Sequence, residues 1–262
     1  METKDKLTLC MVQYNVYWED QKKNLGKVEE LLQKHASSPD IILLPEMFST
    51  GFTMNTGECS DTMRGFAVEW MKRISMQYKC MISGSLIIED ESRYYNRFIA
   101  VHNGEVAGIY DKKHLFRMGE EHSSYTPGTN KTEIKFKGWK IAPFICYDLR
   151  FPVWMRNTGH YDLAVVPANW PSKRDDVWQT LLKARAIENL CYVAGVNRIG
   201  TDGRKIEYIG HSMVVHPRQG ILNPVSSEEK IIETEISLSE LKLFRDHFPA
   251  HLDADTFKII TS

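Results

Sequence analysis

The chain has 262 residues, with 33 Lys and Arg against 34 Asp and Glu, a formal net charge of -1 and a hydrophobic fraction of 42%. That is ordinary globular usage; it argues against a disordered chain, and the lack of surplus basic charge disfavours a dominant nucleic-acid role. The longest apolar runs, such as residues 41–44, fall far short of the ~20 residues of a spanning helix, and the opening METKDKLTLCMVQYNV has no apolar core followed by a small-residue cleavage site, so no signal peptide is read.

In chain order, the apolar pattern alternates between strand and helix. Residues 7–16 form a β-type run ending at polar Gln13 and Asn15. Leu25, Val28, Leu31 and Leu32 recur on one face of a helix over 24–35. Ser37-Ser38-Pro39 ends it, and 41–44 reads as a buried strand. A second helix spans 63–78. Strands follow at 80–88, 95–102 and, after a turn at Gly104, 106–110. The second half resembles the first: a strand at 140–147, a short helix at 153–159, a buried strand at 163–167, a helix at 176–190, and strands at 191–197, 211–216 and 230–236. The last twenty or so residues, FRDHFPAHLDADTF, read as a docked polar and aromatic tail. Two β-α-β halves without linker or repeat imply α/β layering in one domain, residues 1–262.

Five cysteines are widely scattered: Cys10, Cys59, Cys80, Cys146 and Cys191. An odd number without a Cys-x-x-Cys pair argues against a disulfide framework and against zinc, and points to a cytoplasmic address.

Three buried strands end in a reactive side chain. In Ile41-Ile42-Leu43-Leu44-Pro45-Glu46 a carboxylate follows four aliphatic residues, and desolvation there would suit a general base; a rim glutamate gives the same pattern. In YDKKHLF two lysines precede renewed apolar residues, either a fixed charge in a site or a solvated turn. His114 is a base for a cysteine or, more commonly, a structural histidine. In FICYDLRFP, Cys146 ends an apolar run ahead of a turn that leads toward a helix. This strand-to-turn geometry exposes a nucleophile and sets backbone N–H groups beside it. Cys10, Cys80 and Cys191 fit a buried inert role better, and Cys59 a loop. Ser83-Gly84-Ser85 lacks the flanking glycines of a serine elbow, and no phosphate loop or His-Glu-x-x-His pair occurs.

LLPEMF, YDKKHLF and FICYDLRFP, in this order and with spacings of 66 and 34 residues between Glu46, Lys112 and Cys146, resemble the nitrilase (carbon–nitrogen hydrolase) superfamily over nearly the whole chain. The resemblance implies a four-layer α-β-β-α sandwich and a catalytic triad of Glu46, Lys112 and Cys146. It adds a supporting Glu121, seven residues before the glycine of Pro127-Gly128, and the backbone N–H of Tyr147 as an oxyanion donor. The cysteine context is similar to amidase branches. LPEMFSTGF, HLFRMGEEHSSYTPG and the ending RxxFPAHLDAD are most similar to omega-amidases, which act on ω-monoamides of 2-oxo dicarboxylic acids. Val153 departs from the Glu that many relatives carry. The implied route is a cysteine thioester that needs no metal or organic cofactor.

A dicarboxylate monoamide requires a cation for its distal carboxylate and an apolar wall for its carbon chain. Arg117 and Arg174 are candidate cations, and Phe116 and Trp170 candidate walls; rim or core packing explains each equally. Other readings are a neighbouring amidase branch such as an N-carbamoyl amine hydrolase, a catalytically silent binding protein, or a redox protein. The expected partners are a small amide and a second copy of the chain in a homodimer or larger assembly, with no nucleic acid and no membrane.

Overall fold

The computed structural model describes residues 3–35, 38–159 and 161–260. The first half runs β1 (Lys6–Gln13), α1 (Gln21–His35), β2 (Ile41–Leu43), α2 (Thr56–Cys59), α3 (Phe66–Tyr78), β3 (Met81–Asp90), β4 (Arg93–His102), β5 (Glu105–Asp111) and α4 (Glu121–Ser124). The second runs β6 (Ile134–Phe136), β7 (Trp139–Pro143), α5 (Pro152–Met155), β8 (Leu163–Ala168), α6 (Asp175–Asn189), β9 (Tyr192–Asn197), β10 (Ile199–Thr201), β11 (Glu207–Ile209), β12 (Met213–His216), β13 (Gly220–Ile221), β14 (Lys230–Ser237) and α7 (Leu238–His247).

Two six-stranded sheets form, ordered β14-β1-β2-β3-β4-β5 and β13-β12-β9-β8-β7-β6, with β10 and β11 as a separate hairpin. Each large sheet has a parallel trio at its centre, β1-β2-β3 or β7-β8-β9, extended by antiparallel strands. Strand alternation explains how the sheets stack. Leu7, Leu9 and Met11 of β1 join a core shared with Ile141, Val165 and Tyr192 of the second sheet. Cys10 and Val12, on the opposite face, pack with Leu25, Val28 and Leu32 of α1 and Val68, Met71 and Ile74 of α3. Trp178, Leu182 and Ala186 of α6 cover the second sheet. The result is helices, sheet, sheet, helix: the expected four-layer α-β-β-α sandwich.

Several boundaries shift. β7 stops at Pro143, because Cys146–Arg150 folds as a 3-10 turn. α5 ends at Met155, well short of residue 159. β6, the β10–β11 hairpin and α2 are too short to show a period. The final segment is not simply a docked tail: it includes α7, capped by the Ser237 side chain on Glu240 N, and beyond it residues 254–258 are exposed while Ile259 packs against the core. Of the Ser37-Ser38-Pro39 break, Ser37 lies outside the described residues. No helix among the described residues is long and apolar enough to cross a membrane.

Candidate active site

The carboxyl ends of parallel strands are where open α/β sheets place their ligands. Four segments converge there. Glu46 follows β2, Lys112 follows β5, Cys146 follows β7 and Asn169 follows β8. The Glu46 loop is seated on β3 in two ways: Ser85 Oγ accepts from Met47 N at 2.9 Å, and a Cβ on Gly84 would lie 2.8 Å from Leu44 Cβ and 2.9 Å from Phe48 Cδ1. Only glycine permits that approach, which gives Ser83-Gly84-Ser85 its role. Pro127-Gly128 clasps Lys112 in the same way. Gly128 N donates to Lys112 O at 2.9 Å, and a Cβ there would stand 2.0 Å from Asp111 O.

Cys146 adopts φ of 42°, the left-handed region, at the start of its turn. For a residue with a Cβ this costs about 1–2 kcal/mol, and Asp148 supplies the restraint. Its Oδ2 accepts from Ile145 N at 3.0 Å and from Tyr110 OH at 2.7 Å. Its Oδ1 accepts from His114 N at 2.9 Å and meets His114 Nδ1 at 2.7 Å. Arg185 holds the far end of the turn through Leu149 O, with Nη2 to O of 2.8 Å. His114 is therefore structural, with its ring stacked on Phe151 at 3.7 Å. Lys113 stands over Trp154 and outside the cavity.

The buried side chains interlock. Lys112 Nζ donates to Glu46 Oε1 at 2.8 Å and to Glu121 Oε1 and Oε2 at 3.0 and 2.9 Å. All three side chains are wholly enclosed. Glu121 Oε2 also accepts from Phe116 N at 2.5 Å. Asn169 N donates to Glu46 Oε2 at 2.9 Å, and Asn169 Nδ2 donates to Glu46 O at 2.7 Å. The Cys146 thiol points to Asn169 O, 3.9 Å from Sγ.

The electrostatics follow from this enclosure. Burial opposes the Lys112 ammonium, but Glu121 and Glu46 outweigh it and hold the lysine charged, above its ordinary range. Burial pushes the Glu121 carboxyl up against the pull of Lys112. Burial, reinforced by the charge of Glu46 and opposed by Lys112, holds the Cys146 thiol well above the usual thiol range. The resting sulfur is thus a neutral thiol, and attack requires a base at hand.

These groups open on a cavity of about 180 Å³ lined by Glu46, Lys112, Cys146, Tyr147 and Asn169. Phe52, Phe116 and Trp170 give it apolar walls, and Arg150, Arg174 and Arg204 give it cations. Tyr147 is the second residue of the 3-10 turn, among the first amides of a helical turn, which lack partners within it. Phe116, Trp170 and Arg174 line this cavity. Arg117 does not: it is exposed and outside the lining. With Phe116 turned inward onto Tyr147, the 3-10 turn that starts at Arg117 carries that side chain outward.

Sequence reasoning missed four contributors. Asn96 bridges the two glutamates, and Asn169 brackets Glu46. Asp148 was visible only as part of a motif. The β10–β11 hairpin brings Asp202, Arg204, Ile206 and Tyr208 to the cavity mouth, with Tyr208 OH donating to Asp202 Oδ2 at 2.8 Å. Asn96 had a signal: it is a polar residue on the core face of β4, in line with Phe98 and Ala100. Among the described residues no His, Cys, Asp and Glu side chains gather as a metal site.

A sheltered thiol beside a buried carboxylate and ammonium, on a four-layer sandwich, defines a class of hydrolase. The family model for carbon-nitrogen hydrolases matches residues 8–246, and the chain belongs to that family. It is 41% identical to omega-amidase YafV of Escherichia coli (strain K12), over 97% of this chain and 98% of the relative. It is 32% identical to a 2-oxoglutaramate amidase of Bacillus subtilis (strain 168), over 95% and 97% of the two chains. A solved CN-hydrolase superfamily protein from Xanthomonas campestris, described with an arsenic adduct in its active site, superposes with a TM-score of 0.94 at 37% identity, covering 98% of this chain and all of that one.

Proposed function

We propose that the protein is an omega-amidase that hydrolyses a small ω-monoamide of a dicarboxylic acid, such as 2-oxoglutaramate, to the acid and ammonia. The observation that carries this reading is the Cys146 thiol in one small cavity with Glu46, Lys112 and guanidinium groups. The near-full-length likeness to omega-amidases supports the substrate class.

Glu46 takes the thiol proton as sulfur attacks the amide carbon. The C–S bond forms, and the carbonyl electrons move to oxygen, where Lys112 and the Tyr147 N–H meet them. Glu46 returns the proton to nitrogen, with Glu121 holding Lys112 charged throughout. The C–N bond breaks and ammonia leaves a thioester. Water then gives its proton to Glu46 and attacks the thioester carbon. The C–S bond breaks, the sulfur regains a proton, and the acid departs.

Arg174 stands over Phe116 at 5.4 Å and Arg150 over Trp170 at 5.2 Å, and neither has a carboxylate partner among the described residues. Guanidinium groups steadied on aromatic faces suit a substrate carboxylate. We read residues 1–262 as one catalytic domain without an added cofactor. Its five free cysteines fit a reducing cytoplasm, and the same reading expects a homodimer.

The test compares ammonia release from 2-oxoglutaramate, glutaramate, an N-carbamoyl amine and a simple nitrile. The proposal expects the two ω-monoamides to be hydrolysed fastest. Preference for the N-carbamoyl amine would move the protein to another amidase branch.

A further inference from the structure

Asn96 lies at the hub of the buried network without lining the cavity. Its side chain is fully enclosed. Nδ2 has two hydrogens, and two carboxylates receive them: Glu46 Oε1 at 2.8 Å and Glu121 Oε1 at 3.0 Å. Its main-chain oxygen accepts from Lys112 N at 3.0 Å. One residue thus touches both glutamates through its side chain and fixes the lysine through its backbone.

The orientation of the amide is forced. Turned over, it would set Oδ1 against two carboxylate oxygens, acceptor against acceptor. In the orientation adopted, Oδ1 is buried with no hydrogen-bond partner among the described residues. A buried acceptor left unsatisfied is unfavourable, so a role confined to packing would be better served by an apolar side chain. Arg97 next to it turns away to Asp111 and Asp90, so no second charge reaches the hub from β4.

We propose that Asn96 is a positioning residue for amide hydrolysis, holding Glu46 and Glu121 on either side of Lys112 so that Glu46 stays aimed at Cys146. This rests on the amidase reading above. Two carboxyl groups meet one ammonium in the enclosure, and the two N–H donors of Asn96 give each carboxyl group a hydrogen bond without adding a proton that could titrate. The titratable groups that meet it are Glu46 after β2, Lys112 after β5 and Glu121 of α4, and Cys146 lies beyond Glu46 and Lys112. Tyr125 and Cys59, nearby on the α4 and α2 sides, are both pushed up by burial and remain neutral at ordinary pH.

The test uses Asn96→Asp, which keeps the shape and replaces the donor by an acceptor, together with Asn96→Ala and Asn96→Ser. Each is assayed on 2-oxoglutaramate across pH, and Cys146 alkylation by iodoacetamide is followed across pH without substrate. Losing the donors disfavours ionised carboxylates, so the acidic limb of kcat/KM moves to higher pH by about one unit in Asn96→Ala. Its kcat falls by roughly 10- to 100-fold while KM stays within about threefold. Asn96→Ser, with one hydroxyl donor, recovers part of both effects, and the alkylation profile of Asn96→Ala is displaced from that of the native protein. Unchanged kcat and superimposable pH profiles in the folded variants, with only thermal stability lowered, would overturn the proposal, as would a change confined to KM. If the native protein releases no ammonia from 2-oxoglutaramate, the substrate reading fails, while the alkylation profiles still decide the role of Asn96.

Discussion

Lys112 Nζ lies 2.8 Å from Glu46 Oε1, and neither side chain reaches solvent. A pair so enclosed gains stability only if every charge is matched, because each ion lost its hydration on folding. Glu121, Asn96 and Asn169 N supply that match. The arrangement is organised for chemistry more than for stability: it keeps one ammonium and one carboxylate fixed beside a sulfur.

Lys112→Met should damage both fold and function. It leaves Glu46 and Glu121 facing each other without a counter-charge, a change of the kind that costs ~3–5 kcal/mol. It also removes the oxyanion donor proposed above, a group of a kind typically worth ~10²–10³ in turnover. Urea unfolding and ammonia release at substrate saturation check the two effects separately. A variant of native stability and native kcat would contradict the placement of charge described above.

Alkaline pH should destabilise the protein through cysteines that have no part in catalysis. Burial pushes the Cys80 and Cys191 thiols up to about 12, whereas an unfolded thiol ionises near ~8.5. Above ~8.5 the unfolded chain loses these protons while the folded one keeps them. Stability therefore falls with rising pH, each thiol contributing at most ~1.4 kcal/mol per pH unit until about 12. Melting temperatures of the native protein and Cys191→Ala between pH 8 and pH 10 give the test. The native protein should lose stability more steeply, and equal slopes would remove Cys191 from the account.

Arg174→Gln should separate binding from chemistry. A lost charge-assisted contact to a substrate carboxylate raises KM for 2-oxoglutaramate by roughly 10- to 100-fold, with kcat nearly unchanged. Turnover of a neutral amide such as butyramide should not respond. An equal effect on both substrates would assign Arg174 to packing against Phe116.

Much of this site was legible because reactive residues follow apolar strands. Glu46 and Cys146 stand out after runs of buried aliphatic residues, and Lys112 and Glu121 were reached through the motif resemblance. The four layers came with the motif resemblance, and β1, where Leu9 and Met11 alternate with Cys10 and Val12, shows in the sequence only a strand apolar on both faces. What escaped depends on tertiary contact. Arg117 and Arg174 are equally cationic in the sequence, and only the sense of a 3-10 turn sends one outward. The β10–β11 hairpin is built of three-residue strands with no period to read. Asn96 looks like a misplaced polar residue until two glutamates from distant segments meet it.

The central claim is that Cys146 carries the acyl group. Intact-mass analysis of the protein mixed with 2-oxoglutaramate and quenched in acid, alongside Cys146→Ala of confirmed stability, tests it most directly. The account predicts an acyl adduct on Cys146 in the native protein, with neither adduct nor ammonia release from Cys146→Ala. Sustained ammonia release by folded Cys146→Ala would contradict it.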